Sequence, residues 1–119
     1  MKNVLLLLFL SPFIGFAQSS IDIGDLDVYS KDLAKTYSQS DAKDACANLG
    51  SGWRLPTYTE IELLYENRSK LGMGGCCYWT SNQDAQGGYG WFFYWDDKGY
   101  MPNFGDKGMN QKVRAVKDK

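Results

Sequence analysis

Apolar positions along this chain follow three different patterns. The first is a nearly unbroken apolar run, Val4 through Phe16, interrupted only by Ser11, Pro12 and Gly15 and preceded by the basic start Met1-Lys2-Asn3. It is shorter than the roughly 20 residues that a bilayer-spanning helix needs. It ends at Gly15-Phe16-Ala17 before Gln18, with small residues where a signal peptidase reads. The expectation is a cleavable signal peptide over residues 1–17 with no following cysteine to carry a lipid. A single domain over residues 18–119 would then be secreted to the periplasm or the exterior. About 102 residues suffice for one modest core.

The second pattern has helical spacing. Ala42, Ala45, Cys46 and Leu49 form one stripe, with Ser38 or Ser40 as the cap and Gly50 where a helix ends left-handed. Farther on, Pro56 forces an extended residue before it, and Thr57 with Glu60 spells a capping box for a second helix whose inward face is Ile61, Leu64 and Tyr65. Gly72, Gly74 and Gly75 stop it. The third pattern is alternation. Leu26 to Tyr29 reads as a half-buried strand, Gln18 to Ser20 as a flexible lead, and Tyr78 to Thr80, Trp91 to Trp95, Tyr100 to Phe104 and Lys112 to Val116 as four later strands. Asp96-Asp97-Lys98-Gly99 supplies a hairpin turn between the second and third of these. The predicted order is strand, two helices, then a small irregular antiparallel sheet, an α+β fold.

Composition narrows the chemistry. The chain contains no histidine, which removes histidine triads, the usual zinc sites and simple histidine pH switching. Without the signal peptide's Lys2, 12 basic groups face 14 acidic ones, a balance that does not suit nucleic acid. Cys46, Cys76 and Cys77 all follow the signal, so an oxidising compartment implies one disulfide and one spare thiol. The expected bond joins Cys46 to Cys76 or Cys77, closing a loop of about 30 residues and constraining the unfolded chain by roughly 3 to 4 kcal/mol. A ring between adjacent Cys76 and Cys77 is the alternative. Glu60, Glu62 and Glu66 lie on one predicted helix and read as a solvated face, and no Cys-x-x-Cys supports redox catalysis, so no enzyme is expected. The Asn67-Arg68-Ser69 sequon reads as a helix end.

Several ordered motifs carry a family resemblance: Ala42-x-x-Ala45-Cys46-x-x-Leu49, Gly52-Trp53-Arg54-Leu55-Pro56-Thr57-x-x-Glu60-Ile61-x-x-Leu64, Tyr78-Trp79-Thr80-Ser81, Gly90-Trp91-x-Phe93 and Val113-Arg114-Ala115-Val116. The chain resembles the DUF1566, or Lcl C-terminal, domain across nearly all of residues 18–119. The resemblance implies a C-type lectin-like fold in bacterial exported proteins, some members being adhesins that recognise sulfated polysaccharides. Trp53, Leu55, Pro56, Trp79, Trp91 and Val113 are the shared architectural residues. The Glu-Pro-Asn and Gln-Pro-Asp sugar motifs of calcium-dependent lectins are missing, and Trp95-Asp96-Asp97 only loosely echoes their Trp-Asn-Asp. No cofactor is expected; calcium at Asp96 and Asp97 is the minor alternative to a hairpin turn. An acidic chain also lacks the basic surface that sulfate would seek.

The candidate ligand surface comes from the aromatic strand. With Trp91 and Phe93 inward, Phe92 and Tyr94 would face solvent, with Tyr89 and Tyr100 beside them and Asp96, Asp97 and Asn103 at the rim. Asn82, Gln83, Asp84, Gln86 and Asp106 are further polar candidates. Such a platform stacks on sugar rings or anchors a protein interface. The competing reading packs both faces of the sheet. The expected function is a secreted carbohydrate-binding, adhesive module for an extracellular glycan. The alternative is a protein-binding or self-associating subunit, joined through its aromatic face or spare thiol, with no membrane span.

Overall fold

The computed structural model describes residues 20–83, 89–96, 98–106 and 108–119. The predicted signal peptide, Asp84, Gln86 and Asp97 lie outside the described residues, as does the side chain of Tyr89. The described part is α+β with two antiparallel three-stranded sheets. The first holds β1 (Ser20–Ile23), β2 (Leu26–Tyr29) and β6 (Val116–Asp118) in the order β1-β2-β6. The second holds β3 (Cys76–Gln83), β4 (Tyr89–Asp96) and β5 (Gly99–Asp106) in that order. Between the sheets in sequence come α1 (Gln39–Ala47), α2 (Tyr58–Glu66) and the single turn α3 (Arg68–Leu71).

The N-terminal helix signals work as the sequence implies, but α1 ends on Asn48 in right-handed geometry, and Gly50, expected as its left-handed end, lies two residues beyond at φ +141°. Ser38 accepts the Asp41 N–H to cap α1. Thr57 and Glu60 form both halves of the capping box on α2. Ile61 and Leu64 are fully buried, and half-buried Tyr65 packs beside them. Asn67 ends α2 by donating its amide to the Leu63 carbonyl, and Gly72 at φ +65° closes α3 in the left-handed conformation.

Three expectations about the elements need correction. Ser20 begins β1 instead of belonging to a flexible lead, because Ile21 and Ile23 pair with Val28 and Leu26 across the Gly24-Asp25 turn. A third, short helix follows α2. The run Lys112 to Val116 is mostly a crossing segment, because its residues take partners from different elements in turn. Lys112 exchanges bonds with Cys77 and Trp79, Val113 accepts from Leu33, Ala115 accepts from Tyr29, and only at Val116 does pairing with β2 begin.

The second sheet is buried on both faces. Residues directly opposed across antiparallel strands share a face, so the register puts Tyr78, Phe93 and Trp95 on one side and Cys77, Trp79 and Phe92 on the other. The first set joins Ile61, Leu64 and the first sheet's Val28 in one core; the second joins Ala42, Cys46, Leu55, Val113 and Ala115 in another. Burial of Ile, Leu, Phe and Trp in two layers stabilises each by about 1.5 to 3 kcal/mol per side chain. Between Trp79 and Gln83 the β3–β4 register shifts. Fully buried Gln39 fills that irregularity, donating its amide to the Thr80 and Asn82 carbonyls at 2.8 and 3.0 Å. Gly90 permits this approach: a Cβ there would sit 2.7 Å from the Gln39 carboxamide carbon.

The structure bonds Cys76 to Cys77 and leaves Cys46 as a buried free thiol, so the expected bond from Cys46 to Cys76 or Cys77 is not made. Cys46 faces the core from α1, whereas Cys76 is exposed at the start of β3, and its adjacent thiol is the partner it takes. No loop of about 30 residues is closed.

Candidate functional site

The chain returns from β4 to β5 between Asp96 and Gly99, and Asp96 secures the turn by accepting the Lys98 N–H at 2.8 Å. From that turn outward Trp95 opposes Tyr100, Tyr94 opposes Met101, Phe93 opposes Pro102 and Phe92 opposes Asn103. The predicted platform is therefore split. Tyr100 shares the face of Phe93 and Trp95; Tyr94 and Phe92 share the other. The signal was present in the sequence, since a two-residue return after Asp96 pairs Trp95 with Tyr100 by counting alone.

Phe92 is not a solvent-side platform residue. It is buried at 7% exposure against Trp79, with ring centroids 5.9 Å apart and nearly perpendicular. Trp91, expected inward, is half-buried. Tyr94 is half-buried and packs on the α1-side core. Tyr100 remains 45% exposed although its ring lies 4.8 Å from those of Phe93 and Tyr65. Its hydroxyl donates to Glu62 at 3.3 Å, and that carboxylate's charge raises the phenol's pKa. Asn103 is exposed beside Phe92.

The further polar candidates within the described residues are exposed and each makes a hydrogen bond within the fold. Asn82 accepts the Tyr58 N–H, Gln83 donates to Gln39, and Asp106 accepts the Gly108 N–H at 2.7 Å. Among the described residues no group of three Cys, Asp or Glu is placed to hold a metal ion, and no helix is long and apolar enough to cross a membrane.

Sequence reasoning missed two exposed methionines. Met101, 53% exposed, lies opposite Tyr94, and Met109, 46% exposed, overlies Gly105 four residues along the same face of β5. Together they span about 13 Å at strand spacing. Tyr94, Asp96, Lys98, Tyr100 and Met101 border a shallow hollow of ≈ 230 Å³ around the hairpin end. β5 is the edge of its sheet. The Asp96–Gly99 pair closes the turn with hydrogen bonds and such pairs alternate, so Pro102 falls at an outward-facing position of that edge.

The chain's fold is similar to that of EMS16, an antagonist of the collagen receptor integrin alpha2beta1 (GPIa/IIa), with a TM-score of 0.66, covering 86% of this chain and 98% of that one. EMS16 is a C-type lectin-like protein. The fold here is C-type lectin-like. Identity between the two is 7%, so the likeness concerns the fold and not the ligand. No family model and no curated protein matches the chain.

Proposed function

We propose that the chain is an exported lectin-like binding module of the DUF1566 kind that docks a protein partner on its β4–β5 hairpin. The observation that carries this reading is the strip Tyr94, Met101 and Met109, two exposed thioethers along one sheet face beside a half-buried tyrosine. Flexible methionines adapt to a partner's side chains and tyrosine anchors interfaces. A sugar site wants convergent hydrogen-bonding groups instead, and Asn82, Gln83, Asp96 and Asp106 are engaged within the fold. EMS16 antagonises a protein receptor, so a fold of this kind is able to carry protein recognition. Of the six residues to which the family resemblance gives an architectural role, Leu55, Pro56, Trp79 and Val113 are buried and Trp53 and Trp91 half-buried.

A photo-crosslinking residue in place of Met101, expressed in the producing cell, tests the reading against the same residue in place of exposed Lys35. A discrete protein adduct from the Met101 position alone is expected. Equal adducts from both, or none, would refute it. A glycan ligand is the second reading, favoured by Tyr100, whose exposed ring stands beside the Glu62 carboxylate and could stack on a sugar while Glu62 accepts a hydroxyl. A glycan-array hit lost in Tyr100→Ala, with and without calcium, would transfer the assignment to it.

A further inference from the structure

The outward face of α2 forms one wall of a groove that the hairpin does not use. Ile61 and Leu64 point into the core, which leaves Thr59, Glu62, Leu63 and Glu66 on the opposite face at helical spacing. The β1–β2 turn and the end of β6 form the other wall, enclosing ≈ 500 Å³. Its floor is apolar, made by Leu26 and by Leu63, which is 36% exposed although most leucines of the chain's core are buried. Its rim is acidic, with Asp25, Glu62 and Glu66 joined by Glu60 and Asp118.

The balance of charge along that rim is one-sided. Arg54 reaches both Glu60 and Asp118, at 2.7 Å each, and supplies one positive charge against five carboxylates, leaving four formal negative charges. Of the cations near the rim in sequence, Lys119 pairs with Asp22, Lys117 lies over the Trp53 ring and Arg68 over the Tyr65 ring, while Lys70 donates to the Asp22 carbonyl. The whole chain carries a formal charge of only −1, so the groove concentrates acid well beyond the average surface. Glu62 also accepts the Tyr100 hydroxyl, which connects the rim to the hairpin.

We infer that this groove receives a cationic amphipathic segment of the protein partner. An apolar side chain rests on Leu26 and Leu63, while lysine or arginine side chains meet Asp25, Glu62 and Glu66. An apolar floor inside an acidic rim is complementary to that chemistry on both counts, and rim charges steer a basic partner to the surface. A neutral glycan lacks the cation, and an acidic or sulfated polymer is repelled. This inference rests on the protein-partner reading and names the partner's contact chemistry.

The test is amide NMR on the 15N-labelled protein titrated with a ten-residue peptide, Lys-Leu-Lys-Lys-Leu repeated twice. Saturable shifts are expected at Thr59, Glu62, Leu63, Glu66 and Leu26. Affinity should fall about three- to tenfold in the double variant Glu62→Gln, Glu66→Gln, and also when salt rises from about 0.05 to about 0.3 M. Asp41→Asn with Asp44→Asn removes the same charge from α1 and should change affinity less than about twofold, by the screening of distant charges. Equal losses in the two double variants, shifts spread over the whole acidic surface, or equal binding of a peptide with glutamate in place of lysine would overturn the inference. A photo-crosslinker in place of Leu63 separates the two levels. An adduct from the Met101 position without one from the Leu63 position keeps the partner and removes the groove.

Discussion

Replacing Asp32 with alanine should be among the most damaging single changes outside the apolar core. Arg114 is 1% exposed, its Nε donates to Asp32 Oδ1 at 3.1 Å, and its Nη1 donates to the Tyr29 carbonyl at 3.2 Å. Tyr78, also fully buried, donates its hydroxyl to Asp32 Oδ2 at 2.7 Å. Asp32→Ala therefore strands a buried guanidinium and a buried phenol together. Breaking a buried ion pair from one side costs about 3 to 5 kcal/mol. The Asp32 side chain is 29% exposed, so water can enter the vacancy and the lower end, about 3 kcal/mol, applies. Arg114→Met removes the buried charge itself and leaves a carboxylate that keeps Tyr78 and turns to solvent, at about 1 to 2 kcal/mol. The double variant should cost less than the sum, with a coupling of at least about 1.5 kcal/mol. Urea unfolding followed by the fluorescence of the four tryptophans measures all three. At about 4 to 8 °C per kcal/mol, Asp32→Ala should lower Tm by about 12 to 24 °C. Equal single costs with additive effects would show that the pair does not act as a buried unit.

Other expectations follow from the same geometry. Phe92→Ala should destabilise by about 3 to 4 kcal/mol in the same unfolding assay, because the ring is core; a change under about 1 kcal/mol would restore it to the surface. Burial pushes the Cys46 thiol up to about 12, so a thiol reagent at pH 8 should modify it only in denaturant, and rapid labelling of the folded protein would contradict its placement. Light scattering should accordingly give the same mass with and without reductant, since a buried thiol cannot join copies. Hydrogen bonds from Arg54, then from the Thr57 backbone, hold the Glu60 carboxyl below its usual range although burial opposes them. Its stabilising contribution is present above the unfolded value of about 4.3 and is lost as pH falls through the lower folded value. Wild type should therefore exceed Glu60→Gln by about 1 kcal/mol at neutral pH. The gap should narrow in acid, and a gap independent of pH would refute the linkage.

Local signals in the chain were legible because the residues that make them also complete them. Thr57 and Glu60 satisfy one another within a single turn, and Asp96 needs only Lys98 to set the hairpin. The C-type lectin-like fold was reached through the motif resemblance together with this order of elements. Less legible were features decided by distant partners. Nothing local in Ser20 to Ile23 reveals that β2 pairs with it, and alternation in β4 separates two faces without saying that both are covered. Cys46 looked available because a stripe on a helix tells which way a side chain points, not which thiol it meets. The platform failed at register: Tyr94 and Tyr100 are near in sequence yet fall on opposite sides of one sheet.

The outward-facing Pro102 has a consequence for how this surface can be shared. A long exposed edge normally offers a repeating row of N–H donors to any extended chain, including another copy. Proline removes a donor from the middle of that row, so a second strand laid along β5 would meet a gap between the outward backbone positions of Tyr100 and Phe104. Recognition is thereby transferred from the backbone, which reads any sequence, to side chains, which do not. A module that shows methionines and tyrosine to the outside can then remain selective, because the generic route to adhesion through fibril-like strand addition is interrupted.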